Sequence, residues 1–236
     1  MFNIVKKSAK DLLHLDPIAD EELPFIIYHP FIDSNPFYYY DTDKKHWELF
    51  DIFEDKEKYN QMISQREKWI DEEKSFSKLC MMINKPYRLF FLYLNQDNIT
   101  KDEFTKQLKQ IWIDTEFPNA DKNVSVHELL KMFHKADINC LMTTKEKELL
   151  DNLPEQVKIY RGSFRDNNYN ALSWTLDYDK AHWFATRFDK EGYVFEAMID
   201  KKDIIAYFND RNEDEVIIDF HKIKNMNVEK VFKIDI

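Results

Sequence analysis

Glycine is very rare in this sequence. The 236-residue chain has only two glycines, Gly162 and Gly192. The glycine-rich turns that cradle nucleotide phosphates, in the dinucleotide fingerprint and in the P-loop, need several glycines within a few positions. Neither motif can be written anywhere in this chain. Any nucleotide must therefore be held by other groups.

Cysteines and long apolar runs are also few. Cys80 and Cys140 are the only cysteines, and their spacing fits neither a zinc site nor a disulfide framework, so we expect no metal and a reducing compartment. No apolar run approaches the roughly 20 residues of a membrane span. The first residues also lack an apolar region of signal-peptide length. We therefore expect a cytoplasmic protein with no membrane partner.

Positive charge is in deficit. The chain has 34 Lys and Arg against 44 Asp and Glu, a formal net charge of −10. Such a chain is not drawn non-specifically to nucleic acid or to an anionic membrane, although a local basic pocket can still bind a phosphate-bearing ligand. What is abundant is apolar and aromatic residues, 44% and 15%. This composition predicts a globular chain with a sizeable core.

Residues 1–150 have the period and the capping residues of helices. The predicted helices cover about 4–14, 55–81, 86–95, 101–114, 125–135 and 144–152. Between the first two, "FIIYHPFIDSNPFYYYD" is rich in proline and aromatics and predicts irregular or short-strand structure. We expect residues 1–150 to form a mainly helical region that serves as a targeting or partner-binding lobe.

Residues 151–236 change to the period of strands. Six β-branched and aromatic runs predict strands: "VKIYRG", "ALSWT", "YVFEAMI", "DIIAYF", "EVIIDF" and "KVFKIDI". One helix interrupts them at "YDKAHWFATRF", with Asp177 as its N-cap. The predicted fold class is α+β, with the helical N-terminal region packed on a sheet.

Two pairs of residues in the second part share the i, i+2 spacing that places side chains on one face of a strand. The first is Ser173 and Thr175 in "SWT"; the second is Glu213 and Glu215 in "RNEDEVIID". Two carboxylates aimed at one spot need a chemical reason. Taken alone, however, the glutamates are better explained as a solvated acidic strand start, and the hydroxyls as half-buried sheet residues.

A guanidinium precedes both pairs. Arg161 ends the strand "VKIYR" beside Gly162, where a ligand can approach the backbone closely. Its alternative role is an ordinary surface ion pair. Two further side chains have alternatives as well: Phe184 can pack in the core, and Arg187 can stabilise the last turn of its helix through the macrodipole.

In this order the motifs resemble those of the Arg–Ser–Glu class of mono-ADP-ribosyltransferases, which includes clostridial binary-toxin enzymes and phage ADP-ribosyltransferases. The resemblance covers residues 155–236 and rests on "YRG", "SWT", "EDEVII" and the Phe-Ala-x-Arg stretch "FATR" at 184–187. It implies an ADP-ribosyltransferase-type catalytic core at 151–236, with a split, mainly antiparallel sheet. It also implies NAD as co-substrate, with no metal.

The resemblance assigns the reacting groups. Cleavage of the nicotinamide–ribose bond passes through an oxocarbenium-like transition state, as in glycoside hydrolysis. Glu215 would stabilise that cation, with Ser173 holding Glu215 in position. Arg161 and Arg187 would bind the NAD phosphates through charge-assisted hydrogen bonds.

The remaining implied contacts surround NAD and the acceptor. Gly162 would offer backbone groups to the nicotinamide amide, Thr175 would also contact NAD, and Phe184 would stack on the nicotinamide ring. Glu213, the first glutamate of Glu-x-Glu, would orient an acceptor guanidinium and help remove its proton. Phe208, in the loop "YFNDRN", would contact the acceptor.

The implied function is transfer of ADP-ribose to a macromolecule, with a protein arginine as the favoured acceptor, by a phage or bacterial effector or toxin. A host protein or an antitoxin is then an expected partner. Three alternatives stay open: an NAD glycohydrolase toxin, transfer to nucleic acid, and a non-enzymatic binding module. The last is the least favoured because Arg161, Ser173 and Glu215 are all present.

Overall fold

The computed structural model describes residues 2–116, 118–188 and 191–233, and its fold class is α+β, which confirms the prediction. The chain divides into two compact units, Met1–Gln107 and Leu108–Ile236. The boundary lies inside helix α5 (Lys101–Asp114) and not near residue 150, where the sequence changes period. The reason is that the end of α5 and the helices after it pack with the sheet of the second unit.

The first unit contains helices and two small two-stranded sheets. Its elements are α1 (Phe2–Leu13), β1 (Ile18–Ala19), β2 (Ile27–Tyr28), β3 (Phe37–Asp41), β4 (His46–Phe50), α2 (Lys56–Glu72), α3 (Phe76–Met82), α4 (Lys85–Asn95) and the start of α5. The hairpin β3–β4 lies partly in the segment predicted to be irregular or short-strand. The structure thus confirms the helical character of this part and adds a second strand, β4.

The single helix predicted over 55–81 is wrong, because two helices occupy this range. Glu73 ends α2 in extended conformation, and its carboxylate accepts hydrogen bonds from the backbone N–H groups of Lys74 and Ser75. The Ser75 side chain then caps α3 by accepting from the backbone of Lys78. Side-chain bonds to the backbone compete with helix continuation at this point.

The second unit holds a six-stranded sheet and four further helices within the described ranges. Its elements are α6 (Val126–Lys135), α7 (Ile138–Leu141), α8 (Thr144–Asp151), β5 (Gln156–Ser163), β6 (Ser173–Thr175), α9 (Tyr178–Thr186), β7 (Glu191–Asp200), β8 (Ile204–Phe208), β9 (Glu215–Ile218) and β10 (Lys224–Phe232). All six predicted strands are confirmed in position. The last begins earlier than predicted, and residues 234–236 of its predicted range lie outside the described residues.

The sheet consists of two three-stranded halves. Its strand order is β10–β7–β5–β6–β9–β8, with every neighbouring pair antiparallel. β5 pairs with β7 from Gln156 to Ser163, but it pairs with β6 only through Tyr160 and Thr175. The sheet is therefore split between β5 and β6, which are joined by this one backbone pair among the described residues.

Helix α9 covers the β5–β7 half, and both glycines of the chain lie under it. A β-carbon at Gly162 would overlap the carbonyl oxygen of Ala181 and stand 2.6 Å from the backbone nitrogen of Ala185. A β-carbon at Gly192 would overlap the carbonyl oxygen of Ala185. The scarce glycines thus serve close helix–sheet packing, and the small alanines of α9 complete the contact.

Within the described part of the chain, no helix is both long enough and apolar enough to cross a membrane.

Candidate functional site

A cleft of about 430 Å³ opens where the two halves of the sheet part, a size within the range of small-molecule sites. It gathers residues that the sequence spreads over more than fifty positions. The predicted residues that line it are Arg161, Gly162, Ser173, Thr175, Phe184, Arg187, Glu213 and Glu215. Eight of the nine predicted site residues therefore surround one space, and the ninth, Phe208, does not line it.

Arg161 connects the two halves of the sheet. Its Nε donates to the carbonyl oxygen of Asn168 at 2.9 Å, and its Nη1 donates to the carbonyl oxygen of Ser173 at 2.7 Å. These bonds use two of the five N–H donors of a guanidinium. Burial lowers the pKa of Arg161 to about 10, and the nearby Glu215 carboxylate opposes that shift. The side chain is thus a half-buried cation at neutral pH that holds β6 against the end of β5.

Glu215 is the buried carboxylate of the site, with only 5% of its surface exposed. Its Oε1 accepts a hydrogen bond from Trp112 Nε1 at 3.0 Å, and the Ser173 side chain also hydrogen-bonds to it. Burial raises the pKa of Glu215 above its ordinary value, against the opposing effect of these two bonds and of Arg211. Ser173 and Glu215 thus line the same cleft, and the Ser173 hydroxyl acts to lower the pKa of Glu215.

Glu213 and Glu215 meet at a guanidinium that the sequence interpretation did not assign. Arg211 Nη2 lies 2.9 Å from a Glu213 carboxylate oxygen and 3.9 Å from a Glu215 carboxylate oxygen. The i, i+2 reasoning is corrected here, because β9 begins at Glu215 and Glu213 precedes the strand. Asn212 and Asp214 instead have positive φ angles of 56° and 46°. A twisted turn, not strand alternation, brings the carboxylates together.

The turn that carries Glu213 is held by β6 and the residue after it. Thr175 Oγ1 donates to the Glu213 carbonyl oxygen at 2.7 Å, and the Leu176 N–H donates to the Asp214 carbonyl oxygen at 3.0 Å. Asp214 is anchored in turn by the Lys180 ammonium and the Tyr207 hydroxyl. Thr175 thus lines the cleft as predicted, but its hydroxyl is engaged in positioning this turn.

One rim of the cleft is aromatic and basic. The Arg187 guanidinium lies 5.0 Å from the ring centre of Phe184, 5.4 Å from that of Trp183 and 4.5 Å from that of Phe188. It also lies 3.9 Å from a carboxylate oxygen of Glu116. Arg187 directly follows α9, so its cation also lies at the negative end of the helix. The helix role and the cleft role of Arg187 are thus compatible.

Gly162 and Phe208 relate differently to the cleft, and of their two predicted contacts only that of Phe208 is wrong. The α-carbon of Gly162 faces α9, so the absence of a side chain there admits the helix; only the backbone of Gly162 borders the cleft. Phe208 is 2% exposed and packs against Phe133, with the Lys109 ammonium 5.0 Å from its ring centre. Phe208 is therefore part of the core beneath the site and is not available to an acceptor.

The sequence interpretation missed two site residues. Trp112 lies 103 positions before Glu215, in a helix with no motif, and no local pattern points to it. Arg211 is different, because it stands in the same short stretch as the two glutamates. An arginine two positions before a pair of nearby carboxylates could have been predicted to neutralise their charge.

A second depression, of about 580 Å³, is lined by tyrosines, leucines and acidic residues that include Asp177, Asp179 and Asp214. Asp177 caps α9, and Asp214 is paired with Lys180. These carboxylates are engaged in holding the fold. This depression lacks the buried carboxylate and the half-buried, hydrogen-bonded guanidinium that distinguish the cleft at the split.

Comparison with known proteins gives no match: no family model, no curated protein and no solved structure matches this chain. The function is therefore argued from the geometry and chemistry of the cleft.

Proposed function

We propose that the protein is an NAD-dependent mono-ADP-ribosyltransferase, acting in the cytoplasm of the producing or infected cell as a phage or bacterial effector or toxin. One observation carries the proposal. Arg161, Ser173 and Glu215, which carry the sequence resemblance, surround a single cleft together with Glu213. A surface ion pair at Arg161 or a solvated acidic strand start at Glu215 would not require this convergence.

The environment of Glu215 suits stabilisation of a cation. A carboxylate in a site of low polarity interacts with a developing positive charge much more strongly than it does in water. The Trp112 and Ser173 hydrogen bonds fix its orientation before the substrate arrives. As the nicotinamide–ribose bond breaks, positive charge develops on the ribose, and Glu215 is the buried anion proposed to meet it.

The basic side chains of the cleft suit the diphosphate of NAD. Arg161 and Arg187 border the same space, and Arg165 adds a third guanidinium to its lining. These cations replace the glycine-rich phosphate loop that this chain cannot form. The exposed rings of Phe164 and Phe188 stand among them and offer faces for the planar groups of NAD.

The proposed acceptor is an arginine side chain of a protein. The support is the pair Arg211 and Glu213, in which the Glu213 carboxylate already binds a guanidinium at 2.9 Å. Glu213 is more exposed than Glu215, so an acceptor can reach it from the cleft opening. A host protein or an antitoxin is the class of macromolecular partner that follows.

The test is nicotinamide release from NAD by the purified chain, together with labelling of a cell lysate by tagged NAD. We expect nicotinamide release and labelled proteins that carry ADP-ribose on arginine. Glu215→Gln should lower release about 10²- to 10³-fold, the loss typical of one preorganised electrostatic group. The amide is similar in size and still accepts from Trp112, so the fold should be kept.

Glu213→Gln is the matched control, since it makes the same chemical change at the less buried carboxylate of the same turn. We expect it to retain most of the nicotinamide release and to lose transfer to arginine. Nicotinamide release without labelled macromolecules would identify an NAD glycohydrolase. Label in nucleic acid would replace the protein acceptor, and wild-type turnover by Glu215→Gln would refute the assignment of Glu215.

A further inference from the structure

Arg211 occupies the position that the proposed reaction reserves for an acceptor. Its Nη2 lies 2.9 Å from Glu213, the carboxylate assigned to the acceptor, and 3.9 Å from Glu215, the carboxylate assigned to the ribose. The same side chain lines the cleft. One guanidinium nitrogen therefore stands between the group that would receive its proton and the group that would stabilise its target carbon.

The rest of the Arg211 side chain is held in place. Nη1 donates to the carbonyl oxygen of Ile113 at 3.0 Å, which fixes the plane of the guanidinium and leaves Nη2 toward the glutamates. The side chain is 34% exposed, so it is accessible from the cleft. Such preorganisation turns a bimolecular attack into an intramolecular one.

We propose, on the basis of the transfer proposed above, that Arg211 is a self-modification site: the chain transfers ADP-ribose from NAD to its own Arg211. In this step the bond between ribose C1′ and the nicotinamide nitrogen breaks, and nicotinamide leaves with the electron pair. A new bond forms between C1′ and Arg211 Nη2. The guanidinium gives up one proton to Glu213 and then to solvent. The products are nicotinamide, a proton and the modified chain, and no oxidant or reductant is needed.

Modification at this position has a consequence for turnover. An ADP-ribosyl group on Arg211 would fill the cleft that binds the next NAD. Nicotinamide release by the wild-type chain should therefore slow as the modified fraction grows. Because attacking group and catalytic groups belong to the same chain, the rate of modification should not depend on protein concentration.

The experiment incubates the purified full chain with NAD at several protein concentrations and maps the modified residue by peptide mass spectrometry. We expect ADP-ribose on Arg211, at a rate independent of dilution. Arg211→Lys should remove modification at that position. The matched control is Arg88→Lys, which makes the same change at an arginine outside the cleft, where the guanidinium donates to the carbonyl oxygens of Ile83 and Met81. It should leave modification of Arg211 in place.

The outcomes separate this proposal from the proposed function. If nicotinamide is released and other proteins are labelled while Arg211 stays unmodified, self-modification is overturned and the transferase proposal stands. If the wild-type chain releases no nicotinamide, both are overturned. If Arg88 and Arg211 are labelled equally, or Glu215→Gln is labelled as fast as the wild type, the label comes from chemical glycation and the proposal fails. A rate that rises with protein concentration would overturn the intramolecular step.

Discussion

Glu215 combines two demands that oppose each other. A reaction that generates a cation needs an ionised carboxylate in a site of low polarity, but burial disfavours the ionised form and raises the pKa of Glu215. The hydrogen bonds from Trp112 and Ser173 and the charge of Arg211 act in the opposite direction. Burial thus raises the pKa of Glu215 against these opposing effects, so its stability contribution and the proposed activity should both depend on pH.

Glu215→Gln should stabilise the fold at neutral pH. Because the folded state raises the pKa of Glu215, the native chain binds more protons than the unfolded chain between the ordinary and the raised value. The contribution of Glu215 to stability is therefore complete below its ordinary pKa and is lost as pH rises through the raised value. Glutamine has no charge to lose. We expect the melting temperature of the variant to exceed that of the wild type by about 3 °C near pH 8, for roughly 1 kcal/mol.

This advantage should shrink toward zero as the pH falls to about 4.5, the ordinary value for glutamate. Glu213→Gln, at a more exposed carboxylate paired with Arg211, should show no comparable gain. Calorimetry of the three proteins across this pH range is the measurement. A stability difference that is constant with pH would contradict the burial argument.

In Trp112→Phe, the decline of nicotinamide release at low pH, the acid limb of its pH profile, should move to higher pH. The change removes the Nε1 donor from the Glu215 carboxylate, so the pKa of Glu215 rises further. We expect release to fall about 10-fold at neutral pH and to recover partly in base, since a hydrogen bond to a charged group contributes about 1.5–3 kcal/mol. The pH profile distinguishes this positioning role from simple destabilisation.

Phe133→Leu serves as the control for that variant. The Phe133 ring packs edge-on against Trp112 with a centroid distance of 4.8 Å, but it has no hydrogen bond to offer to Glu215. Its loss should lower stability and leave the acid limb in place. If both variants shift the limb equally, packing and not the indole N–H sets the pKa.

At the scale of single residues, the sequence predicts those site residues that lie in short motifs. Arg161, Ser173 and Glu215 could be identified because each stands in a short motif with a distinctive neighbour. Ser173 and Glu215 begin β6 and β9, and Arg161 lies two residues before the end of β5. Trp112 could not, because its role depends on a contact across 103 positions. Phe208 was misassigned because a strand-end aromatic can face the core or the solvent, and only its burial against Phe133 decides which.

At the scale of elements, helix α9 links packing to the cleft. Its alanines lie against the two glycines of β5 and β7, and the same helix and the residue after it carry Phe184 and Arg187 to the rim. The distance between α9 and the sheet therefore also sets where the rim lies. The period of "YDKAHWFATRF" predicted this helix, but it did not predict that the helix would pack directly against Gly162 and Gly192.

Gly192→Ala should destabilise the protein by about 3 kcal/mol, at the upper end of overpacking costs. The added β-carbon would overlap the carbonyl oxygen of Ala185, and a backbone atom cannot turn aside as a side chain can. Chemical denaturation measures the loss. Combining it with Ala185→Gly should not rescue stability, because the carbonyl remains. Full rescue would show that the clash lies with the Ala185 side chain.

The periodicity of the sequence predicts where most helices and strands lie. It does not predict where they begin and end, because local hydrogen bonds determine those limits. Ser75 illustrates this, since its side chain starts α3 inside what reads as one long helical pattern. The hairpin β3–β4 illustrates it again. Its second strand, "HWELF", is too short and too polar to predict alone, and its pairing with "FYYYD" defines it.

At the scale of the whole molecule, the compact units and the sequence textures have different boundaries. The change from helical to strand period near residue 150 is real, but the unit that contains the cleft begins at Leu108. Trp112 reaches Glu215, and Phe133 contacts Phe208. A boundary placed where the sequence period changes, near residue 150, would separate the partners of these contacts. No local sequence pattern predicts the contacts.

Truncation tests this boundary. A fragment of residues 151–236 lacks Trp112 and the aromatic contact of Phe208, so we expect it to unfold without a cooperative transition. A fragment of residues 101–236 keeps all of α5 and every contact named at the cleft. We expect it to unfold cooperatively on heating, measured by circular dichroism. Cooperative folding of the shorter fragment would mean that helices α5 to α8 are dispensable for the sheet.

The single residue pair that joins the two halves of the sheet bears on what a bound molecule does. Arg161 belongs to one hydrogen-bonded ladder, and Ser173 with Glu215 belongs to the other. Beyond the pair Tyr160–Thr175, the described residues show no further backbone pairing between the two ladders, and the Arg161 side chain bonds across to the Ser173 carbonyl oxygen. A ligand that contacts Arg161 on one side and Glu215 on the other would add contacts between the two halves of the sheet and hold them together.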